Sequence, residues 1–157
     1  MLTPQDVNPT QISLKVPAHL SAGVQGVQIL HLSIDTPDVI IESNLAAFVL
    51  HPEITATVTN VQTGDNDLRS VDIVVQFSPK VTPLQQVILL LNEVSKPRFI
   101  AYSFAAIPVS GDTDLLTFNV TNIIAGTYLV RVRVDGAESP LQVDRFGKYD
   151  GKQVVIP

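Results

Sequence analysis

Hydrolytic, nucleophilic and metal-assisted chemistry at neutral pH needs histidine, cysteine, an activated serine or paired carboxylates. The three histidines, His19, His31 and His51, are scattered and share no ligand spacing such as His-x-x-x-His, so structural positions are expected for them. The chain has no cysteine, which excludes a thiolate metal site, a cysteine nucleophile and a disulfide framework, and fits a reducing compartment. No Gly-x-Ser-x-Gly elbow occurs, and no serine, histidine and aspartate are spaced as a triad. The acids sit in turns between apolar runs, a poor arrangement for a paired-carboxylate hydrolase. Two of those turns, Gly64-Asp65-Asn66-Asp67 and Gly111-Asp112-Thr113-Asp114, hold oxygen ligands of the kind calcium accepts. Neither completes an EF-hand loop, and Asp, Asn and Gly are what plain turns prefer, so solvated turns are the favoured reading and calcium the open alternative. Asn119-Val120-Thr121 matches a glycosylation acceptor, which carries weight only in a secreted chain. The expectation is a protein without catalytic, cofactor-binding or metal-binding residues, and not an enzyme.

Composition points the same way. The net charge is −5 and no two basic residues are adjacent, so nothing draws the chain to nucleic acid or to an anionic membrane. The N-terminus lacks the basic and apolar regions of a secretory signal. The apolar runs, such as residues 87–91, are about one strand long, far short of the roughly 20 residues that span a bilayer. A cytoplasmic location without membrane insertion is expected. With 45% hydrophobic residues, dominated by valine and isoleucine, the chain can build β cores, and 157 residues accommodate one and a half sandwich modules of roughly 100 residues each.

The elements that would position any functional residue are strands. Tyr128, Val130, Val132 and Val134 alternate with Leu129, Arg131 and Arg133, and Val71, Ile73, Val75 and Phe77 alternate with Asp72, Val74 and Gln76. Ile12, Leu14 and Val16 alternate with Ser13 and Lys15. A period of two marks a half-buried strand. Further strands are expected over residues 27–34, 46–50, 54–61, 86–92, 99–105, 115–120 and 153–156, with prolines and glycines between them, and no segment carries a helical period.

An internal repeat organises these strands. Ile12-Ser13-Leu14-Lys15-Val16, then Ala22-Gly23 and Val27-Gln28-Ile29, parallels Leu116-Thr117-Phe118-Asn119-Val120, then Ala125-Gly126 and Val130-Arg131-Val132. Each copy proceeds to Glu-Ser-x-Leu, at Glu42-Ser43-Asn44-Leu45 and Glu138-Ser139-Pro140-Leu141, and to a final apolar strand. In this register His31 matches Val134, although Leu30, Leu32 and Ile34 make the better apolar face, so a bulge near His31 is expected. The second copy forms the later half of a module whose first strands lie upstream, while few residues precede the first copy. The fold class expected is therefore all-β: an immunoglobulin-like β-sandwich at residues 53–157, preceded at 1–52 by a partial module lacking its first strands, with Pro52 at the junction. The chain is expected to be a piece of a longer protein. Covering the inner face of the partial module, including Ile12, Leu14, Val16, Val27 and Ile29, is worth at most roughly 7–15 kcal/mol at about 1.5–3 kcal/mol per side chain. That is as large as a domain's whole stability, and a homodimer through the partial module is the expected way of obtaining it.

The stretches Leu20-Ser21-Ala22-Gly23-Val24-Gln25-Gly26-Val27-Gln28, Glu42-Ser43-Asn44-Leu45-Ala46-Ala47-Phe48-Val49-Leu50, Val87-Ile88-Leu89-Leu90-Leu91-Asn92-Glu93 and Gly126-Thr127-Tyr128-Leu129-Val130-Arg131-Val132-Arg133-Val134-Asp135-Gly136-Ala137-Glu138-Ser139 carry a resemblance. From Gln11 onward the chain resembles the C-terminal immunoglobulin-like region of the tail-cap, or tube-terminating, proteins of phage-tail-like contractile injection systems. The family's defining cap domain, N-terminal to these modules, is absent here. The resemblance implies a structural part of such a particle with protein partners there, not the cap activity itself. The alternative is a generic immunoglobulin-like module that binds a protein or carbohydrate through its end loops. For either, the last loop, Phe146-Gly147-Lys148-Tyr149-Asp150-Gly151, is the expected contact surface, through Phe146, Lys148 and Tyr149.

Overall fold

A computed structural model describes residues 6–8, 10–32, 40–95 and 100–157. Among them the chain is built from strands, without an α-helix. The first six are short: β1 (Asp6–Asn8), β2 (Gln11–Ser13), β3 (Gly23–Val27), β4 (Leu30–Leu32), β5 (Ile40–Glu42) and β6 (Ala46–Leu50). They pair as three two-stranded ladders, β1 with β2, β3 with β6 and β4 with β5. The last two ladders run on from each other as one antiparallel ribbon, called the arm below.

Longer strands follow: β7 (Glu53–Thr63), β8 (Leu68–Val81), β9 (Val87–Glu93), β10 (Ala101–Ala105), β11 (Thr113–Ile124), β12 (Gly126–Val134), β13 (Ala137–Glu138) and β14 (Gln153–Ile156). One sheet has the order β11-β8-β7; the other runs β10-β9-β12, with β13 and β14 both on the far edge of β12. Alternation in the sequence fixes the inner faces. Val71, Ile73, Val75 and Phe77 of β8 are buried, as are Leu116, Phe118 and Val120 of β11. Opposite them lie Leu89 and Leu91 of β9 and Tyr128, Val130, Val132 and Val134 of β12, and both faces share one apolar core in a β-sandwich-like arrangement. Tyr102 of β10 is half-buried, with its ring edge-on to Tyr128 at 6.0 Å between centroids.

Three local expectations are corrected. The strand expected over residues 27–34 is divided, with β3 ending at Val27 and β4 beginning at Leu30. The register explains why: Val27 faces Ala46 and Leu30 faces Glu42, so residues 28–29 stand opposite three residues, 43–45. The extra residue thus lies in the opposing strand, and His31 continues in regular register with Ile41. The Ile12-to-Val16 strand shrinks to β2, because only the three-residue β1 pairs with it, whereas its repeat equivalent in β11 is paired to β8 from Leu115 to Val120. Ile34 and Phe99 lie outside the described residues.

Candidate functional site

The arm reproduces the end of the sandwich residue for residue. In β12 and β14, Gly126 faces Ile156, Thr127 faces Val155 and Tyr128 faces Val154. In the arm, Gly23 faces Leu50, Val24 faces Val49 and Gln25 faces Phe48. The Glu-Ser element repeats down to its hydrogen bonds. The Val132 N–H donates to Ser139 Oγ (3.0 Å) and the Ser139 N–H donates to the Val132 carbonyl (2.8 Å). At the equivalent place the Ile29 N–H donates to Ser43 Oγ (2.9 Å) and the Ser43 N–H donates to the Ile29 carbonyl (2.9 Å). A serine suits this position because its short hydroxyl accepts a strand N–H beside a break in the ladder. The side chain one residue before also matches. Arg131 binds Glu138 at 2.7 Å, and Gln28 Nε2 donates to Glu42 Oε2 at 3.1 Å.

The surroundings differ. β12 has β9 on its second edge, from Tyr128 opposite Glu93 to Val134 opposite Val87. Among the described residues no strand lies on the equivalent edge of β3 and β4. The apolar side chains of this region are correspondingly exposed: Ile12 41%, Leu14 39%, Val16 52%, Val27 41% and Ile29 49%. Their repeat equivalents Leu116, Phe118, Val120, Val130 and Val132 are buried. The arm is nevertheless tied to the sandwich at its base. Ala22 is buried in the common core, Gln85 Nε2 donates to the Ala22 carbonyl (2.7 Å) and to Asp135 Oδ2 (3.0 Å), and His51 Nδ1 lies 2.7 Å from the Glu138 carbonyl.

The loop between β13 and β14 is a second surface. Asp144 organises it: one carboxylate oxygen accepts the N–H groups of Phe146 (2.8 Å) and Lys148 (2.9 Å), and the Asp144 N–H donates to the Lys148 carbonyl (2.8 Å). Gly147 sits at φ +80°, a left-handed conformation that glycine adopts without a Cβ penalty. Val143 bridges to Tyr149, closing the loop. Phe146 and Tyr149 project with 78% and 55% exposure, and the Arg145 guanidinium lies 4.7 Å from the Phe146 ring centroid. The sequence singled out Phe146, Lys148 and Tyr149 but not Asp144. Its signal was an aspartate two residues before the phenylalanine, the spacing of an Asx turn. Asp144→Ala is expected to raise amide exchange at Phe146 and Lys148 by about tenfold or more, since hydrogen bonds to a charged acceptor are worth about 1.5–3 kcal/mol. The thermal midpoint should move by less than about 2 °C, because the loop lies outside the core. Hydrogen–deuterium exchange and a melting curve check both.

Of the other singled-out positions, His19 lines one open cleft together with Asp112 and Asp114. The two acidic turns flank opposite ends of β8, roughly 40 Å apart at about 3.3 Å per residue. Among the described residues no group of three or more His, Asp or Glu could hold a metal ion. Asn119 donates to Asp72 Oδ1 (3.1 Å) and Asn60 to Asp72 Oδ2 (2.7 Å). These bonds, that from Asn60 first, hold the Asp72 carboxyl below its usual range. Among the described residues no helix is long and apolar enough to cross a membrane.

No curated protein and no solved structure matches the chain. One family model matches residues 52–155, which is the sandwich-like unit without the arm. The chain therefore belongs to the family described as a domain of unknown function, DUF8756.

Proposed function

We propose that this chain is a non-catalytic structural and interaction module, an immunoglobulin-like part of the cap protein of a phage-tail-like contractile injection system, assembled in the cytoplasm. The observation that carries the assembly role is the arm: a copy of the β12–β14 pairing, hydrogen-bonded in the same register, whose second edge carries no strand among the described residues and whose apolar side chains are exposed. The link to this particular particle rests on the sequence resemblance.

The strand order supports the immunoglobulin-like reading. β7, β8 and β11 take the places of strands A, B and E, while β10, β9, β12 and β14 take those of C′, C, F and G. Tyr128 supports it independently. It stands near the start of the F-like strand and its hydroxyl donates to the Ile124 carbonyl at 2.6 Å, which is the tyrosine-corner arrangement.

In cells that make such particles, the tagged chain should co-sediment with sheath-bearing tubes, and sheath, tube and baseplate genes should neighbour its gene. A chain left in the supernatant while sheath protein pellets, or neighbours encoding hydrolases and sugar transporters, would overturn the reading. A second reading, a binding module for a protein or carbohydrate, is favoured by one feature, the loop that Asp144 pre-organises to present Phe146 and Tyr149.

A further inference from the structure

We propose that two copies of this chain pair through the open edge of β3 and β4, antiparallel about a two-fold axis at Gln28, giving a continuous four-stranded sheet across the dimer. The proposal rests on the reading of the arm as an assembly element and specifies its occupant.

Backbone direction makes the edge available. The N–H and C=O of Ile29 both point to Ser43, on the β5–β6 side. Because these groups alternate along a strand, those of Gly26, Gln28 and Leu30 point the other way. Their equivalents in β12 are Leu129, Arg131 and Arg133, which lie opposite Asn92, Leu90 and Ile88 of β9. The sandwich thus displays what this edge is shaped to receive: an antiparallel strand. The chain's own β9 is not free to supply it, since its Leu89 and Leu91 are fully buried and β12 already holds it.

The composition of the edge supports pairing. Gly23-Val24-Gln25-Gly26-Val27-Gln28-Ile29-Leu30-His31-Leu32 contains no Lys, Arg, Asp, Glu or Pro, the residues with which edge strands block association.

The same stretch is self-complementary, and this selects a second copy over a foreign strand. About Gln28, Val27 falls opposite the second copy's Ile29, Gly26 opposite its Leu30 and Gln25 opposite its His31. One face then has four aliphatic side chains at its centre and hydrogen-bonding side chains at both ends. On the other face, Leu30 of each copy enters the space beside Gly26, where Leu45 lies over the backbone, 2.9 Å from where a Cβ would stand. Leu45 is 66% exposed and Leu30 38%, so each gains an apolar neighbour. Directly opposed positions in an antiparallel pair share a face, so these contacts follow from the register.

Sedimentation equilibrium of the full chain should give twice the monomer mass at about 100 µM. Gln28→Pro removes the N–H aimed at the second copy together with the side-chain bonds to Glu42 and Ser43, a change tolerated on a free edge, and should weaken the dimer by about thirtyfold or more without shifting the melting of the sandwich. Gln28→Ala loses the same side-chain bonds to Glu42 and Ser43 but keeps the N–H, and should remain dimeric. Since the chain has no cysteine, Gln28→Cys should yield a covalent dimer on mild oxidation. A wild-type chain monomeric at about 100 µM overturns the proposal, as does a Gln28→Pro chain that dimerises as tightly as wild type. Co-sedimentation with particles is a separate readout, so a monomeric chain that still pellets with them sinks the dimer alone.

Discussion

Replacing Phe118 with alanine is expected to destabilise the sandwich-like unit by about 3–5 kcal/mol, the cost of deleting a buried aromatic ring and leaving a cavity. Phe118 is 2% exposed, in the common core with Ile73, Val75, Val120 and Val132. A loss of that size is a large fraction of the roughly 5–15 kcal/mol that holds a domain together. Leu14 occupies the same place in the first copy of the repeat but is 39% exposed. Leu14→Ala is therefore expected to cost less than about 1 kcal/mol in the unit's stability, as surface changes do. Urea melts followed by near-ultraviolet circular dichroism of the three tyrosines provide the comparison. Equal losses for the two variants would mean that the arm and the sandwich share a single core. A Phe118→Ala chain as stable as wild type would remove Phe118 from the core.

The second large effect belongs to Tyr128. Its side chain is fully buried, and its hydroxyl donates to the Ile124 carbonyl (2.6 Å) across the turn from β11 into β12. Tyr128→Phe keeps the ring and its edge-on contact with Tyr102 but leaves that carbonyl without its donor, a loss of about 1–3 kcal/mol. The pH dependence has a definite sign. Burial, and after it the nearby Tyr102 and Glu93, push the phenol above its usual range. A raised folded-state value means that the folded chain keeps a proton which the unfolded chain releases above about pH 10. The Tyr128 contribution is thus fully present below about pH 10 and declines as pH rises through and beyond that point. The stability gap between wild type and Tyr128→Phe should narrow across the same range. A gap that stays constant from pH 8 to about 11 would show that Tyr128 titrates alike in both states.

The two predictions separate what is local from what is not. Alternation made the inner faces of β8 and β12 legible from Val71, Ile73, Val75 and Phe77 and from Tyr128, Val130, Val132 and Val134, because side-chain direction in a strand depends only on position along it. Turn chemistry made the paired Ala-Gly and Glu-Ser landmarks legible for a similar reason. What Ser43 and Ser139 do was hidden, since each binds a residue of the opposing segment, seven positions away for Ser139 and fourteen for Ser43. The bond from the Tyr128 hydroxyl to the Ile124 carbonyl and the bulge at residues 43–45, expected near His31, also depend on how two segments meet.

By itself the sequence determined that this is a β protein, where most of its longer strands lie, and that one pattern of landmarks and apolar positions recurs along it. Only the tertiary structure decided that Phe118 is enclosed and Leu14 is not, and which edge of the arm stands open. A strand's pattern specifies which side avoids water, but burial also requires something opposite: the inner faces of the two sheets meet in one core for the second copy, while Ile12, Leu14, Val16, Val27 and Ile29 of the first stay exposed.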